Sequence, residues 1–77
     1  MSLQAQVIEV IADTLDIDAG DIKADQSLYS GVGIDSTEMV EVAVALGKKL
    51  GVTIKSGEIN NKQSVDDIVA IIEQKKQ

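Results

Sequence analysis

The stretch Gly33-Ile34-Asp35-Ser36-Thr37-Glu38-Met39-Val40-Glu41-Val42-Ala43-Val44-Ala45-Leu46-Gly47-Lys48-Lys49-Leu50-Gly51 decides how this chain folds. Its period is ambiguous. Val40, Val42, Val44 and Leu46 alternate as on a strand, whereas Met39, Val40, Ala43, Leu46 and Leu50 share one face of a helix. The flanks favour a helix over 36–50. Asp35 is a good N-cap, Glu38 three residues on completes a capping box, and Gly51 is a stop signal. The β-branched valines lower helix propensity, so packing must stabilise the element.

In that helix Ser36 takes the first position. Its side chain lies near N–H groups without intrahelical partners, at the positive end of the helix dipole. A phosphate ester on Ser36 would sit where a helix N-terminus favours anions. Gly31 and Gly33 give the preceding loop the freedom to let another protein approach closely. From Gly33 to Ser36 alone, an ordinary capped helix after a glycine-rich turn is the plainer account.

The rest of the composition narrows the chemistry. The 77 residues include no histidine and no cysteine. Ser36 therefore has no imidazole to activate it as a nucleophile, and a displayed serine without a base reads as one that another enzyme modifies. Disulfides and the usual zinc and haem sites are excluded. A calcium loop fails on register: counted from Asp16, Gly20 falls at the fifth place where an EF-hand needs an acid or amide, and Ser27 at the twelfth where it needs glutamate. No acid/base constellation can be named, so an enzyme is a poor reading.

Outward from the central helix the layout is helical. Leu3, Val7, Ile11 and Leu15 recur every four residues, with Ser2 as cap, and predict a helix over 3–15. Residues 16–35 read as a long loop pinned by Ile17, Ile22, Leu28, Val32 and Ile34, with a helical turn around Ala19 to Ile22. Residues 56–61 are expected to make one short helical turn with Ile59 inward. Val65, Ile68, Val69 and Ile72, with Ser64 and Asp67 as capping pair, predict a helix over 65–75. The expected architecture is all-α: a small four-helix bundle of three main helices plus one short one, with a long loop between the first two. Seventy-seven residues allow one domain, 1–77, with a small core. Tyr29 is the only aromatic residue, so aliphatic side chains must fill that core. Leu3, Val7, Ile11, Met39, Ala43, Leu46, Ile59, Val65, Ile68 and Ile72 are its expected lining. Such a core either packs fully or opens for an apolar chain.

Charge is uneven. The net charge is −6. Residues 1–47 hold nine acids and one lysine, residues 48–77 four acids and six lysines. Nucleic acid is an unsuitable partner for such a surface. The acidic part would steer a basic partner. No run is long and apolar enough to span a membrane and no leader precedes the first helix, so the expectation is a cytoplasmic monomer that starts at its own Met1.

The run from Ser27 to Glu41, with Gly33-Ile34-Asp35-Ser36 at its centre, resembles the prosthetic-group site of acyl carrier proteins. That family's pattern is glycine, an apolar or small residue, aspartate, serine, then usually leucine. The resemblance covers nearly the whole chain, including the first helix ending near Leu15, the acidic loop, Thr53-Ile54, and Ser64-Val65-Asp66-Asp67-Ile68 opening the last helix. It resolves the ambiguity over 36–50 in favour of a helix. It implies that Ser36 carries 4′-phosphopantetheine through a phosphodiester, that Asp35 marks the site, and that acyl groups ride on the arm's thiol. The partners so implied are a phosphopantetheinyl transferase and acyl-transferring or condensing enzymes, met on the outward stripe Thr37, Glu38, Glu41, Val44 and Lys48. The chain departs from the family where Thr37 replaces leucine, where Gly47-Lys48-Lys49 replaces an acidic stretch, and where Lys62 replaces an apolar residue. These departures imply a specialised carrier in fatty-acid, polyketide or related biosynthesis. The alternative is a helical protein–protein interaction domain in which Ser36 belongs only to a cap.

Overall fold

The computed structural model describes residues 2–76; Met1, taken above as the protein's start, and Gln77 lie outside them. Three helices have the boundaries expected from sequence. Helix α1 spans Leu3–Leu15 and is capped by Ser2, whose Oγ accepts the Ala5 N–H at 3.1 Å. A short 3-10 turn follows at Ala19–Asp21, as expected. A five-residue helix, α2, spans Leu28–Val32. Helix α3 spans Ser36–Leu50, and α4 spans Val65–Lys75 with a reciprocal capping box between Ser64 and Asp67. No strand occurs among the described residues.

The fold class is the expected one, but its short helix lies elsewhere. Residues 56–61 form turns rather than a helical turn, while the loop before Ser36 contains α2. Local hydrogen bonds explain both. Glu58 and Gln63 turn their side chains back onto the Lys55 and Asn60 N–H groups, closing tight turns that propagate no helix. At α2, Ser27 Oγ caps the first turn by accepting from Ser30 N–H at 3.1 Å, and Gly33, at φ +70°, ends it. Only glycine adopts that left-handed conformation without strain.

Helix α1 packs against both α3 and α4. Val7, Ile11, Val42, Leu46, Val65, Ile68 and Ile72 are fully buried between them, each contributing on the order of 1.5–3 kcal/mol by leaving water. Of the expected core, Leu3 and Ala43 are only half-buried, while Val10, Ala12, Ile22, Leu28, Ile34 and Val42 join it. The pins at Ile22, Leu28 and Ile34 hold the long first connection down as expected. Val40, which shares a helix face with Met39 and Ala43, is exposed, and Val42, outside that face, is buried. The cause is tertiary: which arc of α3 is buried depends on where α1 lies, and the alternating valines serve either arc.

The connection after α3 returns across its own helix. Gly51 and Val52 both donate to the Gly47 carbonyl, at 3.0 and 3.2 Å. A Cβ at Gly47 would lie 2.9 Å from the Val52 carbonyl oxygen, so this crossing requires glycine. The connection then laces onto the first one. Leu28 N–H donates to the Gln63 carbonyl at 3.0 Å, Tyr29 N–H to Asn61 at 2.9 Å, and Asp66 N–H to Ala24 at 3.1 Å. Ser27 and Ser64, the caps of α2 and α4, form a single antiparallel bridge. This lacing fixes the corner that presents Ser36.

Candidate functional site

Asp35 and Glu38 form the expected capping box. Glu38 N–H donates to Asp35 Oδ1 at 2.8 Å, and Asp35 N–H donates to Glu38 Oε1 at 3.0 Å. Asp35 is extended, at φ −87° and ψ 174°, and its carbonyl accepts from Met39 N–H at 3.0 Å. Ser36 then opens α3, exposed, and its hydroxyl bonds to no other group among the described residues. The N–H groups of Ser36 and Thr37 lie in the first turn, where no intrahelical acceptor exists. This arrangement fits a phosphodiester. The serine oxygen is free for substitution, and the helix end offers donors and a favourable dipole to the anion.

Ser36 also stands at one end of a groove of about 450 Å³. One wall is α3, through Met39, Val40, Ala43 and Val44. The other is the connection, through Ile54, Lys55, Ile59, Asn60 and Asn61. From Ser36 to Val44 the groove follows the helix for roughly 12 Å, at about 1.5 Å per residue. Its floor is apolar and its rim carries amides and Lys55. The buried residues Val7, Ile11, Val65, Ile68 and Ile72 do not line it. Met39 and Ile59, both buried core residues, do line it, so the opening lies on the flank of α3 at the edge of the core.

The far wall is held by an ion pair. Lys75 Nζ lies 2.8 Å from Glu58 Oε2. This contact chiefly, with the Lys55 N–H bond next, holds the Glu58 carboxyl below the ordinary glutamate value.

The stripe Thr37, Glu41, Val44 and Lys48 is exposed along α3, with Glu38 half-buried in the capping box beside it. Val44 is 55 % exposed, and Val40, one turn before it, is 63 % exposed. Lys48 and Lys49 border Glu9 and Asp13 of α1 across a shallow depression. Sequence reasoning missed the polar wall at Asn60 and Asn61. Two adjacent amides in a loop signal a turn, but nothing local says which carbonyl they reach. Among the described residues no cluster of three or more metal-ligating side chains occurs, and no helix is long and apolar enough to cross a membrane.

Residues 5–72 match the family model described as a phosphopantetheine attachment site. An acyl carrier protein from Solidesulfovibrio magneticus is 33% identical over 76 residues, covering 99% of this chain and 97% of the relative. One from Clostridium acetobutylicum is 36% identical over 67 residues, covering 87% of each. One from Petrotoga mobilis is 31% identical over 70 residues, covering 91% of this chain and 82% of that protein.

Proposed function

The chain belongs to the acyl carrier proteins, the family built around a phosphopantetheine attachment site, and on that premise we propose that Ser36 is its attachment residue. The family's cofactor is covalent 4′-phosphopantetheine, which supplies a terminal thiol that holds acyl groups as thioesters. One observation carries the assignment: Ser36 is an exposed, unbonded hydroxyl in the first turn of α3 at the mouth of an apolar groove.

The residues divide the work. The Ser36 hydroxyl forms the new bond to phosphorus as the phosphoanhydride of an activated pantetheine donor breaks and its nucleotide phosphate leaves. The hydroxyl proton goes to a base on the transferase. Asp35 holds the first turn and gives the transferase a charge to recognise. The backbone amides of that turn stabilise the diester. Met39, Ala43, Ile54 and Ile59 offer an apolar lining beside the attachment point, where a short acyl chain finds shelter from water.

Thr37, Glu38, Glu41, Val44 and Lys48 form the partner-binding stripe. Glu38 and Glu41 meet basic groups, and Val44 fills a small pocket on the partner. Lys48 and Lys49 reverse the charge at the far end, which repels an all-basic docking patch and favours a partner of mixed charge. The protein is then a single carrier domain over 1–77. It works as a cytoplasmic monomer, without catalysis of its own, in a specialised branch of fatty-acid, polyketide or related biosynthesis.

Co-expression with a phosphopantetheinyl transferase followed by intact mass tests the reading. One arm added per chain supports it, and an unmodified chain removes it in favour of a plain interaction domain. The charge argument is tested by Lys48→Glu with Lys49→Glu. Faster loading and elongation of the double variant by a standard fatty-acid system is expected, and no gain over the parent contradicts it.

A further inference from the structure

One residue grips the corner before Ser36 at two points. Asn61, in the connection between α3 and α4, accepts the Tyr29 N–H at 2.9 Å through its backbone carbonyl. Its side-chain Nδ2 donates to the Ile34 carbonyl at 2.7 Å, in a partly buried contact across 27 positions of sequence. The first contact holds α2, and the second holds the residue that precedes the cap. Between them lies the left-handed turn at Gly33.

The second contact has a specific geometric effect. The Ile34 carbonyl and the Asp35 N–H belong to one planar peptide unit. Asn61 holds the carbonyl end of that plane, and Glu38 Oε1 holds the N–H end at 3.0 Å. A rigid plane fixed at both ends has little freedom to rotate. Beyond it, the Asp35 backbone is set by the capping box, and the next residue is Ser36. The Glu38 half of this grip is local to α3 and moves with the helix. The Asn61 half ties the plane to the body of the protein and borders the same groove as Ser36.

We propose that Asn61 is a positioning residue for Ser36: its amide fixes where the serine hydroxyl points when the transferase delivers the arm. This rests on Ser36 being the attachment residue. Losing the amide leaves α3 and its cap formed but frees the Ile34–Asp35 peptide to rock, so the hydroxyl spends less time in line with the phosphorus. A misplacement of that kind slows the transfer step without weakening docking, because docking uses the outward stripe of α3.

The test is transfer kinetics on the parent, Asn61→Asp and Asn61→Ala with one transferase, alongside site-resolved amide hydrogen exchange on the unmodified proteins. Asn61→Asp keeps the shape and replaces the donor by an acceptor facing the Ile34 carbonyl. Asn61→Ala removes the donor without adding charge, and decides the matter if the aspartate variant does not fold. The expected result is a kcat lowered about tenfold or more, the scale on which misplacement acts, with KM unchanged. Exchange should quicken at Ile34 and Asp35, whose N–H groups bond to the Leu28 carbonyl and to Glu38 Oε1, and stay unchanged in the core amides of α1 and α4. A purely structural role gives the opposite pattern: exchange quickened throughout, with unchanged kcat for the folded fraction. That outcome overturns the proposal, as does an unchanged kcat with unchanged exchange. If the parent itself takes up no arm, the attachment reading falls. The exchange data then still decide separately whether Asn61 holds the Ser36 corner: local quickening supports the hold and its absence refutes it.

Discussion

The two flanks of α3 use the same residue type to opposite ends. Toward α1, Val42 and Leu46 have no exposed surface. Toward the connection between α3 and α4, Val40 and Val44 stand more than half exposed along an apolar groove that begins at Ser36. The packed flank gives the domain its stability and tolerates little change. Val40 and Val44 on the open flank contribute little to stability, so they are free to meet a guest or a partner.

The sharpest way to break this contrast is to truncate one residue on each flank. Leu46→Ala should lower unfolding free energy by about 2–5 kcal/mol, as large-to-small core changes do. Val44→Ala should stay within about 0.5 kcal/mol, as for a surface substitution. Urea denaturation of the two variants measures both, and similar losses would mean that the flanks do not differ.

A smaller effect is expected where the chain crosses back over α3. Gly47→Ala gains about 1 kcal/mol of helix propensity, but its Cβ meets the Val52 backbone oxygen at 2.9 Å. Overpacking of that kind costs about 1–3 kcal/mol, and backbone cannot swing aside as a flexible side chain can. A net loss of stability is therefore expected, measured as a lowered Tm. A raised Tm would show that the connection moves easily and that the groove wall is softer than its geometry implies.

The cap acts on a similar scale. Asp35→Ala should cost about 0.5–2 kcal/mol and slow loading by the transferase. Asp35→Asn should keep most of the cap while removing the charge. Loading rates that are equal for aspartate and asparagine would leave Asp35 with the cap alone.

The contrast between flanks also marks what could be read from sequence. The ends of α3 were legible because their causes are local: Asp35 and Glu38 at one end, Gly51 at the other. So were α1 and α4, whose apolar residues repeat at helical spacing and whose caps, Ser2 and Ser64, stand next to them. Helix α2 went unread because five residues are too few to show a period, although Ser27 and Gly33 stood at its two ends as cap and stop. The turn expected at 56–61 did not become helical because side chains bond back onto nearby N–H groups there. Which of Val40 and Val42 points inward was illegible for a different reason. It depends on where α1 docks, and a helix with valine at 40, 42 and 44 serves either arc. The position of Ser36 was legible, but the grip of Asn61 was not, because its partner lies 27 positions away.

The most direct test of the attachment claim is site-mapped mass spectrometry of the parent and Ser36→Ala after exposure to a phosphopantetheinyl transferase, with melting curves of both proteins before exposure. The account predicts one adduct per parent chain, located on Ser36 by fragmentation, and no adduct on Ser36→Ala, whose Tm stays close to that of the parent because the exposed first-turn hydroxyl makes no hydrogen bond among the described residues. An adduct that persists in Ser36→Ala, or maps to Ser27, Ser30, Ser56 or Ser64, would contradict it.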